Sequence, residues 1–284
     1  MSKQPIRITA DSTCDLSPEL LQQYGISTLP LYVVLNGQAY KDGIEITPDE
    51  LYARVKADRK LGSTAAINVD EYLTFFTEVR KSCDTIIHFT ISSDMSSCYQ
   101  NACIAAEEVG GVYVMDSRNR STGIGLQVLR ACELAEKGLA AEVIVSYIRE
   151  MAGRVDATFI PESLEFLKMG GRCSAATALS ASLLRIKPCI QVREGAMVVG
   201  KKYTGSMEHV LMKYIGDRLG DLEKVDLSRV FITHSGMNDP ALVDKVKDAV
   251  LAIAPFEDVQ VTRAGCTVSM HCGPNTLGVL FCKK

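Results

Sequence analysis

The sequence predicts a two-domain α/β protein, a parallel α/β/α domain over 1–155 followed by an α+β, mixed-sheet domain over 156–284. Three observations carry that expectation. The length of 284 residues is about two domains at about 150 residues each. Strand-like and helix-like segments alternate through the first half, the pattern of a parallel sheet layered with helices. The second half sets a hairpin signal among its helices, which fits a mixed sheet.

In chain order, residues 6–10 are β-branched and run into Asp11-Ser12-Thr13, a turn and cap cluster. Residues 29–35 read as a strand closed by the hairpin signal Asn36-Gly37, with Pro30 marking an edge or a strand start. A helix opens at Pro48 behind Thr47. Residues 69–80 form an amphipathic helix with Tyr72, Leu73, Phe76 and Val79 on one face. Residues 85–91 are a near-continuous apolar strand, the mark of burial on both faces. The polar stretch Ser92 to Ser97 leads into a helix carrying Tyr99, which Gly110-Gly111 ends. Val112 to Met115 is the next strand, and 121–137 the next helix.

The second half starts with a strand at 157–160 and a helix near 161–168, broken at Lys168-Met169-Gly170-Gly171-Arg172. Residues 175–184 are small and apolar almost all round, as in a helix packed closely against other backbone. Strands at 189–193 and 196–202 flank Glu194-Gly195 as a hairpin. Then come a helix at 206–219, a strand at 229–234, a helix at 240–253 and strands at 258–262 and 278–282.

Composition narrows the functions. There are 31 basic and 34 acidic residues, a net charge of −3, which argues against nucleic acid or an anionic membrane as partner. No stretch approaches the length of a membrane span. The first residues lack the apolar core of a signal peptide, so a cytoplasmic location is expected. None of the ten cysteines forms a Cys-x-x-Cys pair, and most lie in apolar segments. They read as buried, reduced thiols rather than a metal or disulfide framework. No metal and no cofactor is expected.

Familiar catalytic motifs fail. Gly195 to Lys202 nearly matches a P-loop but lacks the magnesium-binding Ser or Thr and lies in a hairpin. Gly123-Ile124-Gly125 is only a fragment of a dinucleotide fingerprint. Of the four histidines, His88 falls mid-strand, where packing explains it, and His209 falls on a polar helix face. His234 and His271 each end a strand-like segment before a loop, a place where a histidine either caps a turn or serves a site. Hydroxyl clusters recur at element ends, at Ser12-Thr13, Ser63-Thr64, Ser92-Ser93, Ser96-Ser97 and Ser117. Singly they are helix caps. Together they suggest a polar rim at the carboxyl ends of parallel strands, where open α/β sheets bind ligands, suited to a small anionic head group.

Those clusters, in that order, resemble the DegV family of bacterial fatty-acid-binding proteins. The matching pieces are Asp11 to Leu16, Gly62-Ser63-Thr64, Ser92 to Ala102, Asp116-Ser117, Leu167 to Arg172 and His271-Cys272-Gly273-Pro274, which span essentially the whole chain. The resemblance implies a two-domain DegV-like fold with a lipid tunnel, to which the small residues 175–184 would contribute. A long-chain fatty acid would lie in it with its carboxylate held by Ser63, Thr64, Ser96 and His271. It further implies that the protein is not itself an enzyme but serves as the lipid-carrying subunit of a fatty acid kinase. A separate ATP-dependent partner would make the acyl phosphate, and Arg172 and Lys202 would face it. The chain departs from the family pattern in places. Ser63-Thr64-Ala65-Ala66 stands for the usual Thr-Ser-Gln-Pro, and Ser96-Ser97-Cys98-Tyr99 for Ser-Gly-Thr-Tyr. His271-Cys272-Gly273-Pro274-Asn275 stands for His-Thr-Gly-Pro-Gly, and Lys202 for an arginine, whose two-point contact lysine cannot make. The alternative is a small hydrolase or phosphotransferase using Ser96 or His271 as nucleophile, with Asp11 beside the histidine.

Overall fold

The computed structural model describes residues 4–173 and 186–284. The helix expected over 175–184 lies outside the described residues. The first half runs β1 (Gln4–Asp11), α1 (Pro18–Gln23), β2 (Ser27–Leu29), β3 (Tyr32–Leu35), β4 (Gln38–Lys41) and α2 (Pro48–Asp58). It continues through β5 (Ser63–Ala65), α3 (Val69–Arg80), β6 (Cys83–Thr90), α4 (Cys98–Val109), β7 (Val112–Asp116), α5 (Thr122–Glu136) and α6 (Ala141–Ala152). The second half holds β8 (Val155–Ile160), α7 (Glu165–Gly170), β9 (Ile186–Arg193), β10 (Ala196–Thr204), α8 (Met207–Leu219) and β11 (Val225–His234). It closes with α9 (Ala241–Ile253), β12 (Val259–Arg263), α10 (Cys266–Cys272) and β13 (Leu277–Lys283).

Local chemistry sets several of these ends. Thr47 and Asn68 each build a capping box, with Glu50 and Glu71, at the starts of α2 and α3. Ser17 accepts from the Leu20 N–H ahead of Pro18 in α1. Asn36 and Gly37, both at positive φ, turn β3 into β4.

Three sheets result. The first is all parallel, in the order β2-β1-β6-β7. The chain leaves β1 toward β2 and leaves β6 toward β7, so the direction of winding reverses between β1 and β6. Open α/β sheets bind ligands beyond the carboxyl ends at such a switch. The second is mixed, in the order β10-β9-β8-β13-β11-β12, with β11 and β12 its parallel pair. The third is a small antiparallel sheet, β4-β3-β5, that the hydroxyl reading of Ser63-Thr64 did not anticipate. The protein is thus a mixed α/β, two-domain fold.

The cores show how the halves meet. Alternate residues of β13 face opposite ways: Leu277, Val279 and Phe281 pack beneath α8 and α9, whereas Leu280 and Cys282 join a core shared with the first half. That shared core also holds Ile86 and Phe89 of β6 and Phe231 of β11. Helix α5 lies within it and touches strands of both large sheets. It is buried on nearly every face, as a helix covered on both sides must be. Among the described residues no helix is long and apolar enough to cross a membrane. All ten cysteines are free, and all but Cys103 are buried.

Candidate functional site

The site is built around α10. Its run Cys-Thr-Val-Ser-Met-His-Cys is short and apolar, and periodicity cannot tell such a run from a strand end. The sequence reading therefore put His271 at the end of a strand, before a loop. The structure corrects this, placing His271 in the last turn of α10. Two buried aspartates from the first half make that helix. Asp42 accepts from the Cys266 N–H (2.7 Å) and the Thr267 N–H (3.0 Å). Asp15 accepts from the Gly265 N–H (2.9 Å) and from Ser121 Oγ (2.5 Å). Acidic oxygens thus meet the positive end of the helix, whose first N–H groups lack partners of their own. Burial pushes the Asp15 carboxyl up to about 7, against the pull of its Ser121 and Gly265 bonds.

His271 then projects toward β5. Its Nε2 shares a hydrogen bond of 2.8 Å with Thr64 Oγ1. Its Nδ1 is buried and finds no hydrogen-bond partner among the described residues. Gly170 of α7 lies so close that a Cβ there would sit 2.2 Å from that nitrogen, which is why the helix end carries glycine. Burial, with Arg120 and Arg172 nearby, pushes the imidazole down to about 3, so it is neutral at ordinary pH.

These groups border a cavity of about 170 Å³. Thr64, Ile91 and Ser96 line it from the first half, and Met197, Val268 and His271 from the second. Ser96 and Ser97 belong to the loop beyond the carboxyl end of β6 and lead into α4. Ser97 makes no side-chain cap, so it leaves the first N–H groups of that helix to other acceptors. Among the described residues the lining holds two arginines, Arg120 and Arg172, and no carboxylate. Polar hydroxyls, a neutral imidazole and two cations together suit an anionic head group. A second, apolar cavity of about 30 Å³ adjoins it, with Arg120 and Val268 in both walls and Phe159 and Leu280 beyond.

Of the residues singled out in the sequence, Thr64, Ser96, His271 and Arg172 come together at this cavity. Ser63 does not: it is exposed on β5, and successive strand side chains point to opposite faces. Lys202 is exposed on β10, an edge strand, and is not part of the lining. The pairing of His271 with Asp11 is corrected. Asp11 lies in another network, accepting from Tyr72 Oη (2.6 Å) and the Ile91 N–H (3.0 Å), with His88 Nε2 at 3.2 Å. Ser96 Oγ is engaged with Cys98 through both its Sγ (3.2 Å) and its N–H (3.3 Å). Among the described residues no three potential metal ligands gather.

Sequence reasoning missed Arg120, Asp15 and Asp42. For Arg120 the available signal was a lone basic residue entering a helix apolar on all faces. For Asp15 it was an acid in Asp11 to Leu16 with no helix of its own to cap, and Asp42 carried no comparable signal.

The fold and the site define a two-domain α/β protein with a cavity, lined by hydroxyls and arginines, where its halves meet. The DegV family profile, described as an uncharacterised protein family, matches residues 5–284, and the chain belongs to that family. A DegV domain-containing protein of Deinococcus radiodurans is 34% identical over 96% of this chain and 97% of its own. Among solved structures, a DegV family protein from Thermus thermophilus, described for its fatty acid binding, superposes with a TM-score of 0.91 at 30% identity, covering 99% of this chain and all of the other. DegV of Bacillus subtilis, described as a fatty acid binding protein, gives 0.85 at 26% identity, again over 99% of this chain and all of the other.

Proposed function

We propose that this chain binds a long-chain fatty acid, with the carboxylate in the hydroxyl-lined cavity at Thr64, Ser96 and His271 and the acyl chain directed inward. The observation that carries this reading is a partly buried lining with hydroxyls, a neutral imidazole and two arginines but, among the described residues, no acid. An ionised carboxylate buried without partners is prohibitively costly, and this lining supplies donors for it. The similar Thermus and Bacillus proteins are described as fatty acid binding. A 16-carbon chain offers roughly 10 kcal/mol gross from its methylenes, ample after ordering losses. The same reading takes 1–155 and 156–284 as the two domains, and puts the protein in the cytoplasm, in keeping with ten free thiols.

The finer part of the proposal is a non-catalytic role, in which a separate ATP-dependent kinase phosphorylates the presented carboxylate. Arg172, exposed at the cavity, and Lys202, exposed on β10, are the surface cations offered to it. Catalysis by this chain has less support, since an imidazole that titrates near 3 is a weak base at neutral pH.

Native mass spectrometry of the purified protein, followed by denaturing extraction, tests the binding step. One fatty acid per chain is expected, with retention lowered in Thr64→Ala and Ser96→Ala. A protein that is empty and takes up no added fatty acid would overturn the proposal.

A further inference from the structure

Among the described residues, Arg120 is an interior cation held mainly by sulfur acceptors. It is 5% exposed. Its Nη1 donates to Met197 Sδ (3.1 Å), and its Nη2 to Cys272 Sγ (3.0 Å) and the Val268 carbonyl (3.3 Å). Two of those three acceptors are sulfur, a weak acceptor. Phe159 covers the guanidinium at 5.1 Å. Among the described residues, no carboxylate lies within the 4 Å of an ion pair with it. Asp15 is near enough to feel its charge, yet spends its oxygens on Ser121 and Gly265.

Other shielded arginines of the molecule are treated differently. Arg218 pairs with Asp156, and Arg229 with both Glu133 (2.9 Å) and Asp258 (2.5 Å). A buried cation with five donors, whose one described oxygen acceptor is the Val268 carbonyl at 3.3 Å, is poorly compensated, so a further oxygen has a place there. The place of Arg120 says where that oxygen comes from. It forms part of the wall common to the head-group cavity and the apolar cavity. Thr64 and Ser96 line the cavity on one side of it, and Phe159 and Leu280 the cavity on the other. The residue after it, Ser121, is held at φ 53, in the left-handed region that is costly for a residue with a side chain, and its hydroxyl is tied to Asp15.

We propose that Arg120 is a specificity residue for a fatty acid bearing a second oxygen function, a hydroxyl or carbonyl, close to its carboxyl end. The carboxylate sits at the hydroxyls of the outer cavity. The second oxygen accepts from the Arg120 guanidinium, and the unsubstituted tail is directed toward the apolar side at Phe159 and Leu280. This rests on the fatty-acid reading above.

The test is a titration of delipidated protein with palmitic, 2-hydroxypalmitic, 3-hydroxypalmitic and hexadecanedioic acids, followed by native mass spectrometry or calorimetry. A hydrogen bond to a buried charge predicts that one of the hydroxy acids binds about tenfold or more tightly than palmitic acid. Hexadecanedioic acid, whose extra oxygens lie at the far end, gains nothing. Arg120→Met abolishes the preference, so that the hydroxy acids bind no more tightly than palmitic acid does to the same variant, and Arg120→Lys keeps part of it. The wild-type series needs no variant, so a misfolded variant leaves the test intact. Equal binding of palmitic and hydroxy acids by the wild type overturns the proposal. So does an equal loss of both in a folded Arg120→Met, which would make Arg120 a carboxylate ligand. No binding of any acid by the wild type would instead overturn the fatty-acid reading itself.

Discussion

Two histidines of this molecule stand in opposite circumstances. His88, in β6, is fully buried with both ring nitrogens engaged, Nδ1 with Thr9 Oγ1 at 2.9 Å and Nε2 with Asp11 at 3.2 Å. Tyr72, Phe75 and Phe76 pack their rings around it. Among the described residues, His271 has one nitrogen on Thr64, the other unpartnered, two arginines for neighbours and no acid. The first network is complete and belongs to the fold. The second is incomplete and sits on a cavity, where a ligand can complete it. Satisfaction of polar groups, more than residue type, separates a structural cluster from a binding one.

The sharpest way to break this contrast is to remove each ring. His88→Ala leaves the Asp11 carboxylate short of a partner in the core and opens a cavity, so a loss of about 3 kcal/mol or more is expected in chemical denaturation. Ligand uptake by the molecules that remain folded should persist. If His88→Ala were no more destabilised than His271→Ala, the division between the two networks would fail. Asp42→Ala should come next. It strips two backbone N–H groups of their acceptor and costs about 1 to 2 kcal/mol in a thermal melt. It should also weaken fatty acid retention, because α10 carries His271.

His271→Gln should cost less than about 1 kcal/mol in stability while lowering ligand affinity about tenfold. Its signature is the pH profile. The His271 imidazole falls from 6.5 to about 3 in the folded protein. The unfolded chain therefore binds the extra proton between those values, and stability is lost as pH drops through that window. His271→Gln should flatten that loss. Asp15 works the other way: its carboxyl rises from 3.8 to about 7, so its contribution is full below the lower value and lost as pH climbs through the upper. An unchanged acid-side slope in His271→Gln would contradict the placement of the ring. The smallest effect belongs to Ser63→Ala, which should shift stability by no more than about 0.5 kcal/mol and leave ligand retention unchanged. A clear loss of retention would return Ser63 to the site.

What could be read in the sequence divides along the same line. Elements fixed by their own residues were legible. The helix expected at 69–80 is α3, Val69–Arg80, because Asn68 and Glu71 cap it locally and Tyr72 and Phe76 set its buried face. The apolar run at 85–91 is central strand β6. Elements fixed from a distance were not. Helix α10 depends on Asp15 and Asp42, more than 200 residues away in sequence. The strand β5 depends on pairing with β3, and its three residues carry no period of their own. Helices α1 and α6 also went unremarked. At the site, the short motifs brought out Thr64, Ser96, Arg172 and His271 as hydroxyl, cation and imidazole. They did not single out Arg120, whose meaning lies in the lack of an ion-paired carboxylate among the described residues, a property of packing.

The central claim is that the Thr64–His271 cavity receives a fatty acid carboxylate. Carbon-13 NMR of carboxyl-labelled palmitic acid bound to the protein tests it most directly. Hydrogen bonds from hydroxyls and two nearby guanidiniums favour the ionised form. The bound carboxyl resonance should therefore stay unprotonated well below the pH at which the free acid titrates, and Thr64→Ala should move it. A bound resonance that titrates like the free acid, and is indifferent to Thr64→Ala, would contradict the account.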